Sequence, residues 1–104
     1  MDTSRTVRNL SDIRKDIDAI DKKLLELFET RMELTAQVAA YKQSVGMPVL
    51  DPVREREKLD TLSALAKKPE NRDSIRRLFE SVMAVSRSQQ KQILETAKTR
   101  QEEK

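Results

Sequence analysis

Three polar residues interrupt otherwise apolar helical stripes, and they are the first candidates for chemistry. Arg31 stands where Leu or Ile is expected, and Ser86 and Gln90 interrupt a later stripe one turn apart. Unpaired burial would cost several kcal/mol for the charge and about 1–3 kcal/mol for each neutral group. Singly, Arg31 could set helix register or extend into water, and Ser86 or Gln90 could be a tolerated boundary residue. Together they predict one polar pocket between helices.

Two further cations lie on the helix of Arg31. Lys42 follows Arg31 by eleven residues, which places it about 20° around the same face and about 16 Å along the axis. The pair could hold a small dianion from both ends. Arg14 precedes Arg31 by seventeen residues, about 25 Å, so it could reach that ligand only from an antiparallel partner chain. Alone, Lys42 would be a solvated lysine and Arg14 a flanking charge.

The elements that must position these residues are helical. The chain has 3% aromatic residues, one Gly and three Pro, a composition that favours helices. An apolar stripe with steps of four and three predicts a first helix over about residues 11–44. Ser11 or Asp12 is its expected cap, and Gly46 with Pro48 beyond is its expected stop. The stripe comprises Ile13, Ile17, Ile20, Leu24, Leu27, Arg31, Leu34, Val38, Tyr41 and Val45.

The length of this helix predicts a dimer. It would be about 50 Å long, whereas a compact domain of this size has a radius of gyration near 13 Å. Much of its apolar stripe would stay exposed to water, and a second copy of the chain is the simplest way to bury it. We therefore expect an intertwined homodimer of a single 104-residue domain, with flexible ends at 1–10 and 98–104.

Two further helices complete an all-α fold of three helices with a very long first helix. The second is predicted to begin at Asp51-Pro52 and to end at Lys67-Lys68-Pro69, because Asp caps well and Pro suits the first helical position. The third is predicted over about 72–97. Its stripe comprises Ile75, Leu78, Phe79, Val82, Ser86, Gln90, Ile93 and Ala97.

Charge and composition narrow the classes of function. Charged residues form 38% of the chain, but the net charge is only +3. They are interleaved, so we expect no nucleic-acid partner. A pI of about 9.3 suits an anionic small molecule. The chain has no His and no Cys. Disulfides are therefore excluded, as are thiolate or imidazole metal sites and His-activated nucleophiles. A polar N-terminus and no long apolar run predict a cytoplasmic protein without membrane contact.

The chain resembles the all-helical (AroQ-class) chorismate mutases from about Leu10 to Ile93. Each landmark is weak alone, and the ordered set at this spacing carries the resemblance. The landmarks are 13–21, 25–28 leading to Arg31, Glu33-Leu34, Val38 with Lys42, 48–51, 54–57, and Ser86 with Gln90.

The resemblance implies an isomerase that rearranges chorismate to prephenate in phenylalanine and tyrosine biosynthesis, with no cofactor and no metal. It implies that Arg31 binds one substrate carboxylate and that Arg14 of the partner subunit binds a carboxylate from across the interface. It further implies that Lys42 and Gln90 hydrogen-bond the ether oxygen, whose negative charge grows as the bond breaks.

The resemblance also assigns roles around the second helix. Glu55, with the backbone near Asp51, would receive the ring hydroxyl. Arg54 and Ser86 would complete the pocket at its carboxylate end. A unimolecular Claisen rearrangement needs no proton transfer, so the lack of His and Cys is no obstacle, and orientation is the main task.

Three alternatives remain open. An isochorismate-pyruvate lyase or an aminodeoxychorismate mutase could use the same scaffold, although the segment 51–57 favours the mutase because Glu55 suits a ring hydroxyl. The chain could instead be a helical dimerisation module that binds no metabolite. It could also be one domain of a bifunctional aromatic-biosynthesis enzyme, or act in complex with a synthase.

Overall fold

The computed structural model describes the backbone of residues 7–102 and the side chains of residues 7–100. In this range the chain forms α1 (Leu10–Val45), α2 (Pro52–Ala64) and α3 (Arg72–Glu102), and a short 3-10 helix (Pro69–Asn71) precedes α3. There is no β-strand between residues 7 and 102. The predicted all-helical fold with a very long first helix is confirmed.

The start of α1 differs from the prediction of Ser11 or Asp12 as cap. The side-chain Oδ1 of Asn9 accepts a hydrogen bond from the backbone N–H of Asp12 at 2.9 Å. In return, Asn9 Nδ2 donates to Asp12 Oδ2 at 3.1 Å. Asn caps a helix as well as Asp or Ser does, so Asn9 takes the role and Leu10 becomes the first helical residue.

The end of α1 follows the predicted glycine stop. Gly46 has φ of +72°, a left-handed conformation that glycine adopts without a Cβ clash. The N–H of Met47 donates to the carbonyl of Lys42 at 2.8 Å, and the N–H of Gly46 donates to that of Gln43 at 3.4 Å. These two bonds form a Schellman motif, which satisfies carbonyls at the helix end.

The start of α2 is also as predicted, whereas its end is not. Asp51 is the N-cap, and its side chain accepts from the N–H of Arg54 at 3.1 Å. The helix ends at Ala64, before the predicted stop at Lys67-Lys68-Pro69. Pro69 disfavours helical conformation at the residue before it, and Lys68 is extended at φ −110° and ψ 122°. The chain then enters the 3-10 turn that leads into α3.

The ends of the chain were predicted to be flexible over 1–10 and 98–104. Residues 1–6, 103 and 104 lie outside the described residues. Within the described range, α1 already includes Leu10. At the other end, α3 continues to Glu102, five residues past the predicted end at Ala97. Flexibility of these segments stays a prediction.

The chain divides into two compact units, one ending at Arg31 and one beginning at Met32. The first holds the N-terminal part of α1. In the second, α2 packs against α3, and the most buried side chains among the described residues are Ala39, Met83, Ser86 and Gln90. Organisation as a single domain stays a prediction.

The apolar stripe of α1 is largely uncovered within one chain. Leu24 is 55% exposed and Leu27 is 68% exposed. Six other stripe residues are also exposed, namely Ile17, Ile20, Leu34, Val38, Tyr41 and Val45. Large apolar side chains repeating along one helix face are typical of an interaction surface. None of the described helices is long and apolar enough to cross a membrane.

Candidate active site

Among the described side chains of α3, the buried polar ones are Gln90 and Ser86, at 7% and 5% exposure. The Nε2 of Gln90 donates to the main-chain carbonyl of Thr35 on α1 at 3.2 Å. The Oγ of Ser86 donates to the carbonyl of Val82 one turn earlier at 2.9 Å. Among the described residues, no buried side-chain nitrogen or oxygen lacks a partner. Hydrogen bonds within the chain therefore offset the free-energy cost of burying these two polar side chains.

Lys42 ties the end of α1 to the connection that follows it. Its Nζ donates to the carbonyl of Val49 at 2.9 Å, and its side chain is half-buried. Val49 stands two residues before Asp51, the cap of α2. An ammonium group has three donors, and this bond takes one of them, so Lys42 can bind an oxygen without leaving Val49.

Glu55 lies in the first turn of α2 and is partly buried. Its backbone N–H donates to the carbonyl of Asp51 at 3.1 Å. Its Oε1 accepts a hydrogen bond from Nη1 of Arg87 on α3. The sequence reasoning missed Arg87, because one arginine among many interleaved charges carries no signal that would distinguish it.

Thr35 and Gln89 are two further residues that the sequence reasoning missed. The hydroxyl of Thr35 donates to Oε1 of Gln89 at 2.8 Å, and Nε2 of Gln89 donates to the carbonyl of Met32 at 3.0 Å. A usable signal was present, since Gln89 neighbours Gln90 and could approach the same helix. These bonds join α1 and α3 beside the bond of Gln90.

Four predicted site residues of the second unit, namely Lys42, Asp51, Glu55 and Gln90, are held by hydrogen bonds within that unit. The bond of Lys42 joins α1 to the connection before α2, that of Glu55 joins α2 to α3, and that of Gln90 joins α3 to α1. These bonds fix donors and acceptors in place, as the orientation of a small molecule requires.

The other predicted site residues are placed as follows. Asp51 and Arg54 are exposed at the N-terminus of α2, where Asp51 is bound as the cap. Arg14 and Arg31 belong to the unit that ends at Arg31. Arg31 is half-buried and Arg14 is exposed. One unit therefore contains six of the predicted site residues, and the contribution of Arg14 and Arg31 stays a prediction. The six are Lys42, Asp51, Arg54, Glu55, Ser86 and Gln90.

A cavity of about 420 Å³ lies between α2 and α3 in the second unit. Of the predicted site residues in the described range, Glu55 alone lines it. The two arginines that bind acidic residues of α2 line it as well. The full lining is Leu50, Pro52, Glu55, Arg56, Leu59, Arg76 and Arg87.

The arrangement supplies hydrogen-bond donors rather than a nucleophile. Lys42 and the amide of Gln90 can donate to an oxygen that gains negative charge, and Glu55 can accept from a hydroxyl. The chain has no His or Cys to act as a covalent catalyst. This set suits a unimolecular rearrangement of an oxygen-rich anion.

A family model, a relative and a solved structure that are similar to this chain all carry the name chorismate mutase. The family model "Chorismate mutase type II" matches residues 13–91. The chorismate mutase of Methanocaldococcus jannaschii is 36% identical over 90 residues, which are 86% of this chain and 91% of that protein. The solved structure of chorismate mutase (form II) from Thermus thermophilus superposes with a TM-score of 0.77 at 27% identity, covering 81% of this chain and 96% of that one.

Longer proteins match over part of their length. The bifunctional chorismate mutase/prephenate dehydratase of Enterobacter agglomerans is 39% identical over 85 residues, which are 80% of this chain but 22% of that protein. The T-protein of Haemophilus influenzae is 44% identical over 46 residues, which are 44% of this chain and 12% of that protein. In such proteins the matching part is one segment of a larger chain.

Proposed function

The chain belongs to the chorismate mutase type II family, and from the geometry above we propose how it performs this isomerase reaction. Chorismate carries two carboxylates, an ether oxygen and a ring hydroxyl, and the rearrangement to prephenate breaks the ether C–O bond as a new C–C bond forms. Both changes occur within one molecule. The enzyme must therefore fold a flexible dianion into its reactive shape and stabilise the charge that develops on the ether oxygen.

The observation that carries the proposal is the buried amide of Gln90, fixed by its bond to the carbonyl of Thr35. A primary amide has two N–H donors, and this bond uses one. The second donor can bind the ether oxygen, with Lys42 as a second donor. Fixed donors stabilise a developing negative charge more than they stabilise the ground state, because they need no reorganisation.

The remaining roles concern binding and orientation. Glu55, held in the first turn of α2, accepts the ring hydroxyl together with the backbone near Asp51. Arg31 binds one substrate carboxylate through the two-point geometry of its guanidinium group. Arg54 and Ser86 complete the carboxylate end of the pocket.

The proposal includes an intertwined homodimer in which Arg14 of the partner subunit binds the second carboxylate. The exposed apolar stripe of α1 supports it, because Leu24, Leu27 and their neighbours would otherwise face water. An Arg from a second chain would also contact the dianion on the side opposite to Arg31.

A fusion or a complex with another aromatic-biosynthesis enzyme belongs to the proposal too. It is supported by the bifunctional relatives, in which the matching segment is a small part of the chain. The cytoplasmic location expected from the sequence stays a prediction.

The test is to incubate the protein with chorismate and with isochorismate in separate reactions. We expect loss of chorismate absorbance with prephenate as the product, and no release of pyruvate from isochorismate. A bicyclic mimic of the transition state should raise the melting temperature. Release of pyruvate without prephenate would instead identify a lyase, and a chain that neither turns over chorismate nor binds the mimic would be a dimerisation module.

A further inference from the structure

Arg87 occupies a position on α3 that the proposed reaction leaves unused. It follows Ser86 directly, and its guanidinium Nη1 donates to Oε1 of Glu55 on α2. Both side chains are partly shielded, at 36% exposure for Arg87 and 25% for Glu55. The pair therefore lies at the α2–α3 contact and is less open to solvent than an ordinary surface ion pair.

A second cross-helix pair shows which property of Arg87 is special. Arg76 of α3 binds Asp60 of α2 through Nη2 and Oδ1, and the Asp60 side chain is 62% exposed. Both pairs join the same two helices, and both arginines line the same cavity. If an ion pair served only to hold α2 against α3, the two pairs would be equivalent. Arg87 differs because its partner is the carboxylate proposed to receive the ring hydroxyl.

The chemistry of Glu55 explains why a partner matters. A glutamate side chain has three rotatable bonds, so an unrestrained carboxylate samples many orientations. Within the described residues Glu55 uses Oε1 for Arg87, and its Oε2 keeps its acceptor capacity for a substrate hydroxyl. A charge-assisted bond to a planar guanidinium fixes the direction in which that second oxygen points.

We propose that Arg87 is a positioning residue for the mutase reaction, acting through Glu55 on the ring hydroxyl of chorismate. The proposal rests on the role of Glu55 given above. Arg87 itself does not touch the reacting atoms, so its effect depends on the substrate having that hydroxyl. This dependence separates positioning of Glu55 from stabilisation of the helix pair.

The experiment compares Arg87→Met with the matched control Arg76→Met, which removes the other cross-helix arginine. On chorismate we expect Arg87→Met to lower kcat/KM on the order of tenfold, which is less than the roughly hundredfold cost of a misplacement of about 1 Å because Glu55 itself remains. Arg76→Met should stay near wild type. Arg87→Lys keeps a cation and should recover part of the loss. On a chorismate analogue without the ring hydroxyl, Arg87→Met and wild type should react at the same rate.

Several results would overturn the proposal. Equal losses in Arg87→Met and Arg76→Met, or a loss by Arg87→Met that persists on the deoxy analogue, would make Arg87 a structural residue. A near-wild-type Arg87→Met beside a slow Glu55→Gln would show that Glu55 acts without it. A wild-type rate in Glu55→Gln would instead remove Glu55 from the site, and a wild-type enzyme inactive on chorismate would overturn the proposed function itself.

Thermal melting of every variant, followed by circular dichroism, is the control for folding. If Arg87→Met melts below the assay temperature, Arg87→Lys carries the comparison, with a smaller loss expected on chorismate and none on the deoxy analogue. A loss of the same size on both substrates would then count against positioning.

Discussion

The amide nitrogen of Gln90 on α3 donates a hydrogen bond to the main-chain carbonyl of Thr35 on α1 at 3.2 Å. The neighbouring Gln89 binds the same stretch of α1 through the hydroxyl of Thr35 and the carbonyl of Met32. Two adjacent amides thus hold the two helices together, but Gln90 is the buried one. They provide a matched pair for separating catalysis from packing.

Gln90→Leu should keep the fold and lose activity. Leucine has a similar volume and suits a buried position, so the helix contact should survive. Loss of the proposed donor to the ether oxygen should lower kcat by roughly a hundredfold. The measurement is the rate of chorismate loss, with melting curves as the check on folding.

Gln89→Leu is the control for that variant. It removes the side-chain bonds of Gln89 to Thr35 and Met32, so it should cost about 1 kcal/mol of stability for each bond. Turnover should stay near wild type. Equal loss of turnover in both variants would assign the effect of Gln90→Leu to helix packing.

Lys42→Met should lower turnover by roughly a hundredfold or more, because Lys42 is the proposed second donor to the developing oxyanion. It also removes the bond from Lys42 to the carbonyl of Val49, which should cost about 1 kcal/mol in the free energy of unfolding. Lys91→Met removes an exposed cation beside Gln90 and should change neither quantity. Activity within a few-fold of wild type in Lys42→Met would exclude Lys42 from the mechanism.

The first turn of α2 depends on its cap. Asp51→Ala loses the acceptor for the N–H of Arg54 and should destabilise the chain by about 1 kcal/mol, measured by urea unfolding. Asp51→Asn keeps a capping oxygen and should be close to wild type in stability and turnover. Because the backbone near Asp51 is proposed to meet the substrate, a large activity loss in Asp51→Asn would mean that the carboxylate itself contributes.

The sequence predicted the helices well because their signals are local. The apolar period of α1, the Asp51-Pro52 start of α2 and the stop at Gly46 each follow from a few neighbouring residues. The error at the start of α1 is local as well, since Asn9 competes with Ser11 as a cap.

The candidate site was predictable only in part. Polar residues inside apolar stripes identified Ser86 and Gln90 as buried, and both are. Their hydrogen-bond partners could not be predicted from the pattern, because those partners lie on other turns and helices. Arg87 is the clearest case, since its contact with Glu55 spans 32 residues and depends on how α2 packs against α3.

The exposed stripe of α1 should hold two chains together. Leu24→Glu puts a charge in the middle of that stripe, where unpaired burial is costly. The sedimentation coefficient should fall from that of a dimer to that of a monomer, and activity should be lost. Lys22→Glu alters the charge on the opposite face of the same helix and should leave the dimer intact. A dimer that persists in Leu24→Glu would move the interface elsewhere.

Arg14 offers a direct test of a site shared between chains. Arg14 and Arg31 are seventeen residues apart on α1, about 25 Å along a helix, which is too far for one small ligand. Arg14→Ala and Lys42→Ala should each be nearly inactive alone. After joint unfolding and refolding of equal amounts, half of the dimers should be mixed, and each mixed dimer has one site with both residues intact. Activity should therefore return to about one quarter of wild type. If Arg14 served the site of its own chain, every site in the mixture would lack one residue, and mixing would restore nothing.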